Sequence, residues 1–188
     1  PGYTADACGD MCTYDLAAAR SLFQQSGGYS GEFWITVNGD GGNKQWADAV
    51  CNQLKNALEL NCRVSVLANQ AAVLQALGQK QLTGLVLQGW DPDPLSADAT
   101  LAVYVSGSPR NAVGYRNQAF DSAMSEARRA ITQAEANAAY HRAELLLRDN
   151  PPAVPLWYAD SLSGWSNRVT DVTVTPFGGL DLSAVRLK

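Results

Sequence analysis

The chain has 188 residues, 46% of them hydrophobic and 17% charged, with a formal net charge of −4. That composition excludes a disordered chain, and no apolar run reaches the roughly 20 residues that cross a bilayer. The 14 basic residues stand singly except at Arg128 and Arg129, so no charged stripe is available to a polyanion, and nucleic acid and anionic membrane are poor partners.

In chain order, residues 14–27 have helical spacing. Asp15 stands where an N-cap belongs, Leu16, Ala19, Leu22 and Phe23 share one face, and Gly27 with Gly28 stops the run. Residues 33–39 have strand composition and lead into a glycine-rich turn. Asn43 is positioned to cap a second helix whose buried stripe is Trp46, Ala47, Val50, Leu54, Ala57 and Leu58. Residues 63–68 read as another strand, and residues 69–77 as a short helix ended by Gly78. The run GLVLQGW, residues 84–90, reads as an apolar strand inside a sheet, and it opens directly onto Asp91 and Asp93, each followed by a proline.

Residues 91–117 show no clear period, and a loop of that length in a compact domain is the first place to seek a site. Two helices follow, from about Phe120 and from Thr132. The second begins with Thr132 and Glu135 in capping-box spacing and presents Ala136, Tyr140, Ala143 and Leu147 inward. Asn150 and two prolines end it, residues 154–158 read as extended, and residues 169–175 as a last strand. The alternation of helix and strand predicts an α/β fold, a sheet packed by helices, in one domain over 1–188 with 1–13 and 176–188 as peripheral segments.

Cys8, Cys12, Cys51 and Cys62 allow three complete pairings. Zinc is disfavoured, because there is no C-x-x-C and the only histidine is His141. Reduced thiols in a cytosolic core are the alternative to disulfides in an exported chain, and disulfides are the preferred reading. Cys51 falls in a helix and Cys62 at the start of the next strand, so the chain can fold back and join them, leaving Cys8 with Cys12 to staple the N-terminal segment. The first residue is Pro1, so a leader or longer N-terminal region is expected to have been removed.

Most catalytic patterns are missing. Around Ser30 the chain reads GGYSGE, with Glu32 where the last glycine of a nucleophile elbow belongs. Neither of the common glycine-rich phosphate loops occurs. A calcium loop begun at Asp91 puts Ser96 at the turn glycine and Ala102 at the bidentate glutamate, and one begun at Asn38 puts Ala49 at that last position, so both fail. His141 lies on an alanine-rich helical stretch and reads as a surface or partly packed residue. Hydrolysis by the acid pair stays formally open. Repeated Asp-Pro is nevertheless ordinary turn chemistry.

Six features occur in order: Tyr14-Asp15 with Ala18, Leu22, Phe23 and Ser26-Gly27; a strand ending in Asn38; Lys44-Gln-Trp46-Ala47; Gly89-Trp90 with Asp93-Pro94; residues 114–121 from Gly114 to Asp121; and residues 152–158, PAVPLWY. Together they resemble one lobe of an extracellular solute-binding protein of the peptide/nickel ABC-importer family, similar to oligopeptide- and dipeptide-binding proteins, over nearly the whole chain. The resemblance implies a periplasmic-binding-protein-like (type II) lobe with a mixed sheet flanked by helices. Members are two to three times longer, so it also implies that this chain is the C-terminal lobe alone and that a second lobe is missing.

The resemblance further implies a non-enzymatic protein without cofactor or metal. It would take a peptide or similar small-molecule solute, deliver it to an ABC permease, and work outside the cell, lipid-anchored at the surface or in a periplasm. In peptide-binding relatives an Asp shortly after Gly-Trp holds the peptide α-ammonium; here the segment after Trp90 is shorter, and Asp91 and Asp93 are rival candidates. Prolines 92 and 94 stiffen both acids, and the carboxyl end of a strand is where α/β sheets present ligands. Trp90, Trp157 and Tyr158 are candidates for the apolar wall. Phe120 reads as core and Asp121 as a helix-start cap. The alternative is the same fold recruited as a non-transport surface interaction or regulatory module.

Overall fold

The computed structural model describes residues 5, 7–89, 96–157, 162–175 and 179–188, which fall into two compact units, one of residues 6–90 and one of 1–5 with 91–188.

In the first unit a 3₁₀ turn, Gly9–Cys12, precedes helix α1, Leu16–Gln25. Then come strand β1, Glu32–Asn38, helix α2, Lys44–Leu58, strand β2, Asn61–Leu67, helix α3, Gln70–Gly78, and strand β3, Leu85–Val86. The sheet order is β2-β1-β3 and both pairings are parallel, with Ile35 opposite Val64 on one side and Leu85 on the other. Ile35, Thr36 and Val37 are all buried in succession, which a strand achieves only when both its faces are covered. Helices α2 and α3 both contact β1. The core is Ile35, Val37, Ala47, Cys51 and Cys62, with Trp46, Val50, Leu54 and Leu87 packed against it. The α/β reading is thus borne out, as are the disulfides Cys8–Cys12 and Cys51–Cys62, with Cα atoms 5.6 and 5.1 Å apart.

Local chemistry explains the helix starts. The side chains of Asp15 and Asn69 accept from the N–H groups of Ala18 and Ala72, both at 2.9 Å. Asn43 is the N-cap of α2 by position, yet its side chain makes no cap bond, because its backbone is already helical (φ −76°, ψ −13°) and the amide points elsewhere. The stripe expected on α1 is not buried either. Leu22 is 66% exposed, and α1 meets α2 instead through Arg20, whose Nε donates to the carbonyl of Ala57 at 2.8 Å.

The expected strand at 84–90 shrinks to Leu85–Val86 at the sheet edge, with Leu85 44% exposed. Gly84 sets this limit: it has φ +79°, and a Cβ there would collide with the Trp34 carbonyl. Beyond Val86, one more bond, from Leu87 N–H to the Thr36 carbonyl at 2.9 Å, keeps the chain on β1.

In the second unit the stretch expected to be irregular contains a helix, α4, Ala97–Leu101, capped by Ser96, followed by a 3₁₀ turn, Ala102–Tyr104. Five residues are too few to show a helical period. Helices α5, Gln118–Arg129, and α6, Gln133–Asp149, pack on each other around Phe120, Ala123, Met124 and Ala143, with Tyr115 set edge-on to Phe120 at 5.7 Å. Thr132 and Glu135 close the expected capping box. Phe120 is core as expected, but the cap of α5 is Asn117, not Asp121. The expected last strand is two short ones, β4, Val169–Thr170, and β5, Thr173–Val174, separated at Asp171, where φ is +58°. They pair antiparallel with β7, Arg186–Leu187, and β6, Leu180–Asp181, respectively, in the segment expected to be peripheral.

Candidate functional site

Of the five candidate residues, Trp90, Asp91, Asp93 and Tyr158 lie outside the described residues. Trp157 is described, 58% exposed, in a stretch without regular structure. The described residues therefore bring none of the five together.

What they do supply is the frame at the carboxyl edge of the parallel sheet. Strand β3 leads through Leu87 to Gly89, the last described residue before 90–95. At the end of β1, Gly39 N–H donates to the Leu67 carbonyl at 2.8 Å, tying the following turn to the end of β2. Four side chains in this turn and the start of α2 form one directed chain of hydrogen bonds. The Trp46 indole Nε1 donates to Asn43 Oδ1 at 2.9 Å, Asn43 Nδ2 to Asn38 Oδ1 at 2.9 Å, and Asn38 Nδ2 to Asp40 Oδ1. Each amide is polarised in the same sense, so the relay ends on the Asp40 carboxylate. Gly41 lets the amides meet: a Cβ there would run into both Asn43 Nδ2 and Asn38 Nδ2.

Asp40 is exposed, and the relay engages one of its two carboxylate oxygens. The arrangement can accept hydrogen bonds from an ammonium or amide N–H with the carboxylate held in place beforehand. Sequence reasoning missed this group. Asn38 was visible as a strand end and Asn43 as a cap, but nothing in their spacing announces that an indole links them.

A second polar cluster lies between α4 and α6, around a groove of about 250 Å³. Asp98 accepts from Arg128 Nε at 2.6 Å. Burial and then the Asp98 carboxylate, which the Tyr140 hydroxyl meets in a hydrogen bond, raise the Tyr140 pKa. Ser96 Oγ accepts from Ala99 N–H at 3.1 Å, and Gln133 Nε2 donates to Asn137 Oδ1 at 2.8 Å. Asp98 with Arg128 and Tyr140 thereby ties α4, α5 and α6 together. His141 is half-buried, with Nε2 buried and unpartnered among the described residues. Among those residues there is also no group of three or more metal-ligating side chains, and no helix is long and apolar enough to cross a membrane.

Comparison with solved structures defines the class: the fold is that of type II periplasmic binding proteins, a parallel sheet flanked by helices. Within that class the likeness is to peptide-binding members. OppA of Burkholderia pseudomallei matches with a TM-score of 0.71 and 22% identity, over 78% of this chain and 30% of its own. DppA of Helicobacter pylori, solved in complex with the peptide STSA, matches with a TM-score of 0.68 and 25% identity, over 76% of this chain and 28% of its own. In sequence, the dipeptide-binding protein DppE of Bacillus subtilis is 23% identical over 97% of this chain. The chain spans 35% of the length of that relative. No family model matches. The resemblance read from the sequence is borne out by these comparisons.

Proposed function

We propose that the chain is the C-terminal lobe of an exported, two-lobed solute-binding protein that captures a peptide and passes it to an ABC permease. The observation that carries this reading is the parallel β2-β1-β3 sheet, whose last strand is followed in sequence by the acidic segment GWDPDP and whose carboxyl edge holds Asp40 at the end of its relay. The likeness in fold to OppA and DppA, and in sequence to DppE, supports it. The full chain 1–188 forms one lobe in this reading, and a second lobe supplies the other half of the contacts.

Asp91 or Asp93 holds the peptide α-ammonium through a charge-assisted hydrogen bond, worth roughly 1.5–3 kcal/mol. Trp90, Trp157 and Tyr158 line the apolar wall. Two disulfides suit an oxidising compartment, hence a periplasmic or cell-surface, lipid-anchored location. The protein binds and releases its solute without chemical turnover.

Calorimetry with di- to hexapeptides, on this chain and on a form carrying both lobes, tests the reading. The two-lobed protein should bind at least about a hundredfold more tightly, since one lobe offers half the contacts. Equally tight binding by the 188-residue chain alone would remove the clamshell account. In the two-lobed form, Asp91→Asn or Asp93→Asn should weaken peptide binding about tenfold. Unchanged affinity in both would favour a fold recruited for surface interaction.

A further inference from the structure

We propose that the Cys8–Cys12 disulfide is a thiol-exchange site, opened by neutral or cationic dithiols while Cys51–Cys62 stays closed in the same folded molecule. The two bridges differ in what covers them. Cys51 and Cys62 are 3% and 1% exposed and sit in the apolar cluster with Ile35, Val37 and Ala47. A thiolate must approach along the sulfur–sulfur axis, so exchange there waits for that cluster to open. Cys8 and Cys12 instead bracket the 3₁₀ turn Gly9–Cys12, which buries no residue; Cys12 is exposed and Cys8 half-covered.

The reaction is directed by that asymmetry. One thiolate of the reductant attacks Sγ of Cys12, a mixed disulfide forms, and Cys8 leaves as thiolate. The second thiol of the reductant then attacks its own sulfur in the mixed disulfide and releases Cys12. Two electrons pass to the protein, the reductant departs as its cyclic disulfide, and its two protons balance the two new thiols. Charge selects among reagents. Asp10 lies between the cysteines and Asp15 follows, and residues 8–19 contain no lysine or arginine. Anionic thiols are repelled over the roughly 10 Å that salt leaves unscreened.

Differential alkylation tests the proposal. The full chain is treated with dithiothreitol for increasing times, quenched with N-ethylmaleimide, and each cysteine is quantified by peptide mass spectrometry. Cys8 and Cys12 should become alkylated at least about tenfold faster than Cys51 and Cys62, with circular dichroism unchanged during the fast phase. Equal rates, earlier labelling of Cys51, or loss of the folded signal in the fast phase would overturn it. In denaturing urea the gap should close; a gap that persists would trace the difference to intrinsic sulfur chemistry and overturn the burial argument. Cys8→Ser with Cys12→Ser should abolish the fast phase. The first, mixed-disulfide step needs only one thiol, so, followed by mass as the adduct on Cys8 or Cys12, cysteamine should outpace mercaptoethanesulfonate about two- to fivefold more at low salt than at 1 M, and no salt effect would overturn the charge selectivity.

Discussion

The Asp121 carboxylate accepts a hydrogen bond from the backbone N–H of Ser106 at 2.9 Å, fifteen residues earlier in the chain. The acid in the first turn of α5 thus serves the loop before it. Asp121→Ala would leave that half-covered N–H without its acceptor, at a cost of about 1–3 kcal/mol. Asp121→Asn keeps an acceptor oxygen and should lose less than half as much. Urea denaturation of both variants decides it, and equal, negligible losses would show that water replaces the carboxylate.

Gly84→Ala should detach the edge strand. A positive φ and a collision with the Trp34 carbonyl act together, giving a loss of about 2 kcal/mol. The local signature is faster hydrogen exchange at Leu87, whose N–H bonds Thr36 across that edge. Unaltered exchange at Leu87 would contradict the argument.

Removing the Cys51–Cys62 bridge with paired alanines should cost ~3 kcal/mol in the chain-entropy account, and removing Cys8–Cys12, which closes a shorter loop, ~2 kcal/mol. Thermal unfolding of the two double variants measures the order. A larger loss at Cys8–Cys12 would show that the N-terminal turn holds more structure than its exposure indicates.

Acid should loosen the start of α6. Hydrogen bonds from the backbone N–H and then the hydroxyl of Thr132 hold the Glu135 pKa below the ordinary glutamate value. A carboxylate whose folded pKa is depressed adds stability that is fully present above its unfolded pKa and is lost as the pH falls through the folded one. Carbon-detected titration should place the Glu135 midpoint below that of glutamate in an unstructured reference peptide. Glu135→Gln, which still accepts from Thr132, should remove this part of the acid dependence.

Much of the fold was legible in the sequence where one residue does one local job. Asp15 and the Thr132–Glu135 pair act within three residues of themselves, and their caps are where the sequence put them. The disulfide pairing followed from the turn between α2 and β2 for the same reason. What escaped notice depends on distance or brevity. Asn43 has cap chemistry, but its oxygen is drawn to an indole one turn on. Asp121 looks like a cap and bonds a loop. The run 84–90 has strand composition, yet a single close approach at Gly84 decides how much of it pairs. The candidate site was legible only in part. The acids of GWDPDP stand out by composition, whereas Asp40 acquires its place through three side chains that pattern alone does not connect.

Each apolar core is drawn from an uninterrupted stretch of chain, one within residues 33–87 and the other within 101–147. On a ribosome the first stretch is complete before any of the second has been made. A nascent chain halted shortly after residue 90 should therefore already resist protease and, once delivered to an oxidising compartment, carry its inner bridge.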